Sequence, residues 1–321
     1  MSNATISSIG QVNSSGTADA LFLKVFSNEV LTQFIRENQM LGMSTVRTLG
    51  QGAKSSAFPV TGFVNASYHT AGNEITGQAI KHNEKIISLD DMLLADVFVA
   101  EVEELKSAYD VRAEYSRQMG SALANKVDKH LLSLAILASR VTTPNVTGGN
   151  VGSEILDADC HTNATSLIDS VFEAIQKLDE NNVPSDGRVC IVRPDQYYQL
   201  ANVDKLVNRD FSRDNGDFGK GTVLSIGGVP IVKSNTAQEV FATDLSASIS
   251  GTNNTYNGDF THTFAVIMHN SAIGTIKRKD LVMESTYDAR RIGTLMTARM
   301  LMGSNISVSY THLTLPTILL V

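Results

Sequence analysis

The 321-residue chain contains no tryptophan, two cysteines and few charged residues. Cys160 and Cys190 lack a Cys-x-x-Cys spacing, which argues against both a disulfide framework and a cysteine-based zinc cluster and fits a reducing compartment. Charged residues make up 18% of the chain, against roughly 25% in typical soluble domains. A surface with so few charges has room to be covered by partners.

A basic excess is also missing, and so are targeting and membrane segments. The formal net charge is −7, which disfavours non-specific binding to nucleic acid because phosphate contacts need clustered Lys and Arg. The N-terminus, MSNATISSIGQVNSSGTADA, has neither the basic nor the apolar segment of a signal peptide. No apolar run approaches the ~20 residues that a membrane helix requires. We therefore expect no membrane partner.

The N-terminal third alternates between helical and glycine-rich patterns. Phe22, Phe26, Val30 and Phe34 are four apart, which predicts a helix with one apolar face. Residues 49–90 are broken by glycines and contain a proline, which predicts two strands with a long excursion between them. This segment has too few large apolar residues to form its own core, so we expect it to lie on another surface.

A long helix is predicted from Asp110 to Arg140. Its apolar positions recur every three or four residues and mark one face of a helix about 45 Å long. They are Val111, Tyr115, Met119, Leu123, Val127, Leu131, Leu134 and Ala138. The opposite face carries charges of mixed sign, and Asp110 is a suitable N-cap residue.

The remainder mixes helices and strands without a regular alternation. Residues 166–178 and PDQYYQLA read as helices, whereas RVCIV, TFAVIMH and DLVMES read as strands. Gly227-Gly228 predicts a hairpin, residues 234–262 an exposed polar loop, and RRIGTLMTARMLMGSNIS is ambiguous between strand and helix. Because no β-α-β rhythm appears, the pattern favours an α+β fold over a doubly wound sheet.

Candidate chemistry is sparse. The cluster Asp157, Asp159, Cys160 and His161 has ligand types for a metal-dependent hydrolase or a Cys/His pair, yet neighbours on one loop rarely converge on one ion. GDFGKGT, residues 216–222, has the wrong spacing and context for a phosphate loop. Glu101, Glu103 and Glu104 fit favourable electrostatics before a helix. The residues therefore predict no catalytic, cofactor or metal site and no enzyme.

Several longer segments resemble the major capsid proteins of short-tailed, T-seven-like (autographivirus) bacteriophages. They are ALFLKVFSNEVLTQF, FPVTG, YHTAGNEI, KHNEKIISLDDMLLADVFVAEVEELKSAYDVRAEYSRQMGSALA and VIMHNSAIGTIKRKDLVMES. The resemblance implies the α+β tailed-phage and herpesvirus major capsid fold of the Hong Kong-ninety-seven type. It implies an N-terminal arm and helix (1–45), an extended β loop or E-loop (46–92), a peripheral domain (93–150) with a spine helix (110–140), an axial domain (151–262) and a return to the peripheral domain (263–306).

The same resemblance implies a function and partners. The chain would self-assemble as hexamers and pentamers into the icosahedral head that encloses the phage DNA, with no cofactor. Its partners would be further copies of itself, a scaffolding protein, the portal protein and, through weak non-specific contact, the packaged double-stranded DNA. It would assemble in the bacterial cytoplasm and remain in the virion. We expect subunit contacts at Phe58, Tyr68, His69, Glu74, Arg112, Glu114 and Arg117.

Two further expectations concern the alternative and the tail. An encapsulin-like nanocompartment shell uses the same fold and is the alternative function. Residues 307–321 depart from the family pattern, and SVSYTHLTLPTILLV resembles translated adapter sequence. We therefore expect the native chain to depart from this sequence near Ile306.

Overall fold

A computed structural model describes residues 33–34, 38–62, 64, 66–102, 111–146, 149–203, 216–217, 222–223, 225–308 and 312–316. Its helices are α1 (Val111–Ser139), α2 (Ala164–Glu180), α3 (Pro194–Ala201) and α4 (Asn235–Val240), with a 3₁₀ helix at Leu41–Met43. Its strands are β1 (Thr45–Thr48), β2 (Ser55–Thr61), β3 (His82–Ser88), β4 (Leu93–Ala100), β5 (Ser153–Glu154), β6 (Arg188–Val192), β7 (Gly216–Asp217), β8 (Thr222–Val223), β9 (Ser225–Ile226), β10 (Val229–Lys233), β11 (Asp244–Leu245), β12 (Gly258–Asp259), β13 (Thr263–His269), β14 (Ile273–Asp288), β15 (Gly293–Ile306) and β16 (His312–Pro316).

Two main sheets organise the chain. One has the strand order β1-β14-β15-β4, in which the long β14–β15 hairpin is flanked by β1, parallel to β14, and by β4, antiparallel to β15. The other has the order β5-β16-β13-β6-β10-β9. The pairs β2–β3, β7–β8 and β11–β12 are separate two-stranded ribbons. Mixed parallel and antiparallel strands with irregularly placed helices confirm the predicted α+β class.

The long helix α1 confirms the periodic pattern of the sequence. It has 29 residues, which corresponds to about 44 Å at 1.5 Å per residue. Its second half is buried on all sides, since Leu131, Leu132, Leu134, Ala135 and Ile136 are each 0% exposed. Burial of this extent supplies a large hydrophobic stabilisation, so α1 is a core element along its second half.

Two hydrophobic cores divide the packing. The first surrounds α1 and includes side chains from β4, α4, β13 and β15. The second lies between α2, α3 and the six-stranded sheet, with Leu167, Val171, Leu178 and Cys190 at 0% exposure. Strand β13 serves both, because alternate side chains of a strand point to opposite faces of its sheet: Val266 packs in the first core and Ile267 in the second.

The prediction of an exposed loop at residues 234–262 was wrong. This segment contains α4, β11 and β12, and it buries Phe241, Tyr256 and Phe260 to 2% exposure or less. The error has a physical cause: the apolar residues are too widely spaced to show a period, yet each one packs individually into the core around α1. The hairpin at Gly227-Gly228 is confirmed, with positive φ angles of 56° and 80° at the turn.

Several residues used in the predictions lie outside the described part of the structure. Phe22, Phe26 and Val30 lie outside them, whereas Phe34 is 6% exposed and packs in the core around α1. Asp110, Glu103 and Glu104 also lie outside them. In the part of the chain that is described, we find no helix with the length and apolarity that crossing a membrane would take.

Candidate assembly surfaces

The hairpin β2–β3 extends from the body of the protein and ends in an exposed tip. Its ladder runs from Ser55 opposite Ser88 to Thr61 opposite His82. Residues 66–81, between the strands, belong to no helix or strand, and every residue from 66 to 86 is exposed. This confirms two strands with a long excursion between them. We call residues 66–81 the tip and the segments around Ser55 and Ser88 the base.

The base is held on the sheet by a small hydrophobic cluster. Phe58, Ile87 and Ile276 are 4%, 0% and 0% exposed and pack together. The guanidinium carbon of Arg47 lies 4.1 Å from the centroid of the Phe58 ring, and Arg47 Nη1 donates to the carbonyl of Ala57 at 3.1 Å. Apolar burial, a cation–π contact and a hydrogen bond therefore fix the base from one side.

Two glycines allow the hairpin to lie directly on β14 and β15. A Cβ atom placed on Gly303 would lie 2.1 Å from the carbonyl oxygen of Ser88, and one on Gly274 would lie 2.6 Å from Cδ1 of Ile87. Both distances are far below van der Waals contact, and the first involves backbone that cannot rotate away. Glycine at these positions is therefore required by the close approach of β3 to the sheet.

The carboxylate of Asp90 joins the base to the loop 249–256. Its Oδ1 accepts hydrogen bonds from the backbone N–H groups of Asn253 (2.7 Å) and Asn254 (3.1 Å) and from Nδ2 of Asn254 (3.0 Å). Its Oδ2 accepts from the hydroxyl of Tyr256, which in turn accepts from the backbone N–H of Ser304 at 3.0 Å. Burial raises the pKa of Asp90, and these hydrogen bonds oppose that rise only in part.

The same network reaches α1 through His130. The imidazole stacks on the Tyr256 ring, with centroids 4.2 Å apart and an interplanar angle of 11°. Its Nε2 atom is buried without a hydrogen-bond partner among the described residues. Burial, followed by the positive charge of Lys126, lowers the pKa of His130 to about 4. The imidazole is therefore neutral at physiological pH and acts as a packing surface.

A cavity of about 140 Å³ opens where the base, α1 and the loop 249–256 meet. Apolar side chains form most of its wall: Met92, Leu93, Val127, Ile249 and Met302. His130 and Tyr256 contribute their rings, and Asp91 and Lys126 place opposite charges beside it. Within the described part of the chain Lys126 has no ion-pair partner.

The structure separates the predicted contact residues of the hairpin into two groups. Tyr68 is 106% exposed, and His69 and Glu74 are exposed beside it. The backbone N–H of Asn73 donates to the carbonyl of Thr70 at 3.1 Å, so the tip reverses direction between Tyr68 and Glu74. Phe58 is a correction: at 4% exposure it has almost no surface to offer another subunit, because it is part of the cluster that holds the base.

The remaining predicted contact residues lie in the first turns of α1. Arg117 pairs with Glu114 at 3.6 Å, and Glu114 also accepts from Nε2 of Gln118 at 3.3 Å. The Arg117 and Glu114 side chains are 60% and 56% exposed, so their ion pair adds little to stability. The side chain of Arg112 lies outside the described atoms.

The enzyme-like cluster near Asp157 holds the start of α2. The Asp157 carboxylate accepts from the hydroxyls of Ser166 and Ser170 and from the backbone N–H of Asp159. Cys160 is buried, and its Sγ lies 3.6 Å from the carbonyl of Asp157. Over the described ranges no set of three His, Cys, Asp or Glu side chains is arranged to hold a metal ion. The hydrogen bonds of Asp157 therefore have a structural role: they join the loop before α2 to the first turns of that helix.

Comparison with known proteins identifies what this architecture is. Residues 57–307 match the family model described as Gp10A-like: Major capsid protein. The chain belongs to this family. It is 29% identical over 326 aligned residues to the major capsid protein of Enterobacteria phage T3, which covers 92% of this chain and 90% of that protein.

Solved structures agree with the family. The capsid structure of the cyanophage P-SCSP1u has a TM-score of 0.78 and 35% identity, covering 86% of each chain. A virus-like particle from Pyrococcus furiosus has a TM-score of 0.54 at 13% identity and covers 92% of this chain and 100% of that one. At 13% identity the second likeness shows the shared fold alone. Because the family model and the T3 relative are major capsid proteins, the encapsulin-like alternative is not better supported. The chain is a structural capsid protein of the Hong Kong-ninety-seven type of fold, not an enzyme.

Sequence reasoning missed the residues that fix the base. Asp90 and Tyr256 are 166 positions apart, and neither lies in a motif. A glycine inside an apolar strand pattern, as at Gly303, was the one usable signal, because such a glycine often marks close approach of another backbone.

Proposed function

We propose that the chain forms the hexamers and pentamers of an icosahedral phage head that encloses double-stranded DNA. The observation that carries this proposal is the hairpin β2–β3, whose base is fixed on its own subunit while every residue of its tip is exposed. In a closed shell such a tip finds its burial on the adjacent copy, and a heterologous contact that closes by rotation generates rings. Residues 46–92 are, on this proposal, the E-loop.

The two cores support a division into peripheral and axial domains. We assign residues 93–150 and 263–306 to the peripheral domain, with α1 as the spine helix. For the axial domain we propose a smaller extent than residues 151–262. Within residues 151–262 the second core uses side chains only from Ile155 to Ile231, and β13 adds Ala265 and Ile267 to it. Ala237, Phe241 and Phe260 belong to the core around α1. We therefore assign the segment from α4 to β12 to the peripheral domain, whereas β13 contributes side chains to both cores.

The predicted contact residues other than Phe58 are proposed as subunit contacts. Tyr68, His69 and Glu74 form one group at the tip, and Arg112, Glu114 and Arg117 form another at the start of α1. Five of these side chains are exposed in the described subunit and are therefore available to a neighbouring copy: Tyr68, His69, Glu74, Glu114 and Arg117. Charged pairs at the edge of a shell contact contribute register and specificity more than affinity.

The expected partners follow from assembly and packaging. A scaffolding protein would set the curvature of the growing shell, and a portal would occupy one vertex. The packaged DNA would touch the shell weakly, in keeping with a net charge of −7. Assembly would take place in the bacterial cytoplasm, and the mature protein would remain in the virion.

Electron microscopy of the expressed full chain, alone and with a candidate scaffolding protein, tests the proposal. The informative variant replaces residues 62–81 by a short Gly-Asn turn, which keeps the β2–β3 ladder. We expect closed shells from the unaltered chain and a folded, non-assembling protein from the variant. A soluble monomer or dimer from the unaltered chain under both conditions would contradict a shell function.

A further inference from the structure

We propose that the cavity beside Lys126 is the receptor for the E-loop tip of an adjacent copy, with the ring of Tyr68 inserted and Glu74 facing Lys126. This inference rests on the proposed shell function and names the contact that the tip makes. It concerns two surfaces of the same chain that lie on different parts of the subunit.

The first step is that the tip must bind elsewhere. Tyr68 is 106% exposed and Ile75 is 78% exposed, so two large side chains near the turn at Thr70–Asn73 leave most of their surface in water within the described part of their own subunit. The cavity lies at the base of the same hairpin, and the exposure of Tyr68 shows that this ring does not fill the cavity of its own chain. A second copy is therefore the occupant that would bury both side chains.

The second step is size and chemistry. A cavity of about 150 Å³ lined by Leu, Ile and Phe accommodates benzene, and the present cavity, at about 140 Å³, is similar in size. Its apolar wall suits an aromatic ring, and the polar atoms of Asp91 at its edge suit a phenol hydroxyl, which needs a hydrogen-bond partner when buried. A tyrosine side chain matches both requirements.

The third step is charge complementarity. Lys126 stands beside the cavity without an ion-pair partner, and Glu74 stands on the tip without one, in both cases within the described part of the chain. The reversal at Thr70–Asn73 returns Glu74 toward Tyr68. A docked ring would therefore bring the two opposite charges to the same rim.

The fourth step is symmetry. A protruding group and a complementary pocket on different surfaces of one chain make a heterologous contact, which closes into rings when the rotation is suitable. A contact of this type pairs the tip of each copy with the cavity of the next around a hexamer or pentamer. Each contact can be weak, since many act together in a closed shell.

Charge exchange tests the pairing. We expect Glu74→Lys and Lys126→Glu each to lower the yield of closed shells by about tenfold and the double variant to restore it to within about threefold, as for a directly coupled pair. Glu84→Lys is the control, because it makes the same charge change on an exposed residue of the hairpin outside the tip. Circular dichroism establishes that each variant is folded.

Crosslinking supplies an independent readout. The native cysteines, Cys160 and Cys190, are buried, so a chain carrying Ile75→Cys and another carrying Ser250→Cys each present one accessible thiol. Co-assembly of the two chains under mild oxidation should give a covalent dimer on a non-reducing gel, because a disulfide requires Cα atoms within about 7 Å. Neither chain assembled alone should give that dimer.

The outcomes separate this inference from the function beneath it. Suppose that the unaltered chain forms shells. Normal shell yields from both single charge variants would then overturn the cavity contact, and so would the absence of the mixed dimer. In either case the shell function would remain supported. Loss of assembly in the single variants without recovery in the double variant would also overturn it. Failure of the unaltered chain to form shells under any condition would overturn both.

Discussion

The base and the tip of the β2–β3 hairpin are one continuous segment with opposite physical character. At the base, the side chains of Phe58 and Ile87 are buried, and the backbone of Ser88 lies so close to β15 that a Cβ on Gly303 cannot fit. At the tip every residue is exposed, and the Tyr68 side chain is 106% exposed among the described residues. The subunit thus fixes the direction of the hairpin by itself and leaves the side chains of the tip in water, where we propose that a neighbouring copy covers them.

The largest expected effect comes from breaking the base. Gly303→Ala places a methyl group against the Ser88 carbonyl, and because backbone has to move to relieve the overlap, we expect a loss of about 3 kcal/mol or more in the free energy of unfolding. Urea denaturation measures this loss, and hydrogen exchange should show reduced protection in β3.

Gly50→Ala is the matched control for that variant. A Cβ at Gly50 meets no heavy atom within 4 Å, so the same substitution there should change the free energy of unfolding by less than about 0.5 kcal/mol. Equal losses from both variants would show that the close approach at Gly303 is not what holds the hairpin.

The Asp90 network should give the next largest effect. Asp90→Ala removes the acceptor of two backbone N–H groups and of the Tyr256 hydroxyl, and the donors on Asn254 and Tyr256 are partly buried. Leaving such groups unsatisfied costs about 2–4 kcal/mol in total. The neighbouring Asp91→Ala variant, at an exposed carboxylate, is the control and should lie within about 0.5 kcal/mol of the unaltered protein.

The sequence predicted the regular parts of this architecture and missed the contacts that position them. Helix α1 could be predicted because a helix that packs against a core repeats its apolar positions every three or four residues. The two strands of the hairpin could be predicted because glycines separate the short β-rich segments of residues 49–90. The partnership of Asp90 with Tyr256 was not, since a single carboxylate after an apolar strand looks like any solvated turn. For the same reason residues 234–262 looked like a loop, although Phe241, Tyr256 and Phe260 each reach the core.

Two titratable residues of α1 should give opposing pH dependences. Burial lowers the pKa of His130 to about 4, so the stability that depends on its neutral form is present above pH 6.5 and is lost as the pH falls toward 4. Burial raises the pKa of Asp128 to about 6, against the hydrogen bonds that it accepts from the backbone N–H groups of Gln39 and Met40. Its contribution is therefore fully present below pH 3.8 and is lost as the pH rises through 6.

Single variants separate these two contributions. In His130→Phe, which retains a ring against Tyr256, the remaining Asp128 contribution should make stability fall between pH 4 and 6 relative to the unaltered protein. In Asp128→Asn, the remaining His130 contribution should make stability rise over the same range, each by about 2 kcal/mol. Chemical denaturation at a series of pH values measures both slopes, and identical slopes in the two variants would refute the assignment.

Substitutions at the tip should have the smallest effect on the free energy of unfolding of the subunit. They also give the most direct test of the difference between the base and the tip. Tyr68→Ser and Ile75→Ser remove apolar surface that the isolated chain leaves in water, so the free energy of unfolding of the subunit should change by less than about 0.5 kcal/mol. The same variants should lower the denaturant concentration at which assembled shells dissociate, measured by light scattering, because there the side chains are buried. A substitution that destabilised the subunit and the shell equally would place Tyr68 inside its own fold and would remove the distinction between a self-sufficient base and a tip that depends on a neighbour.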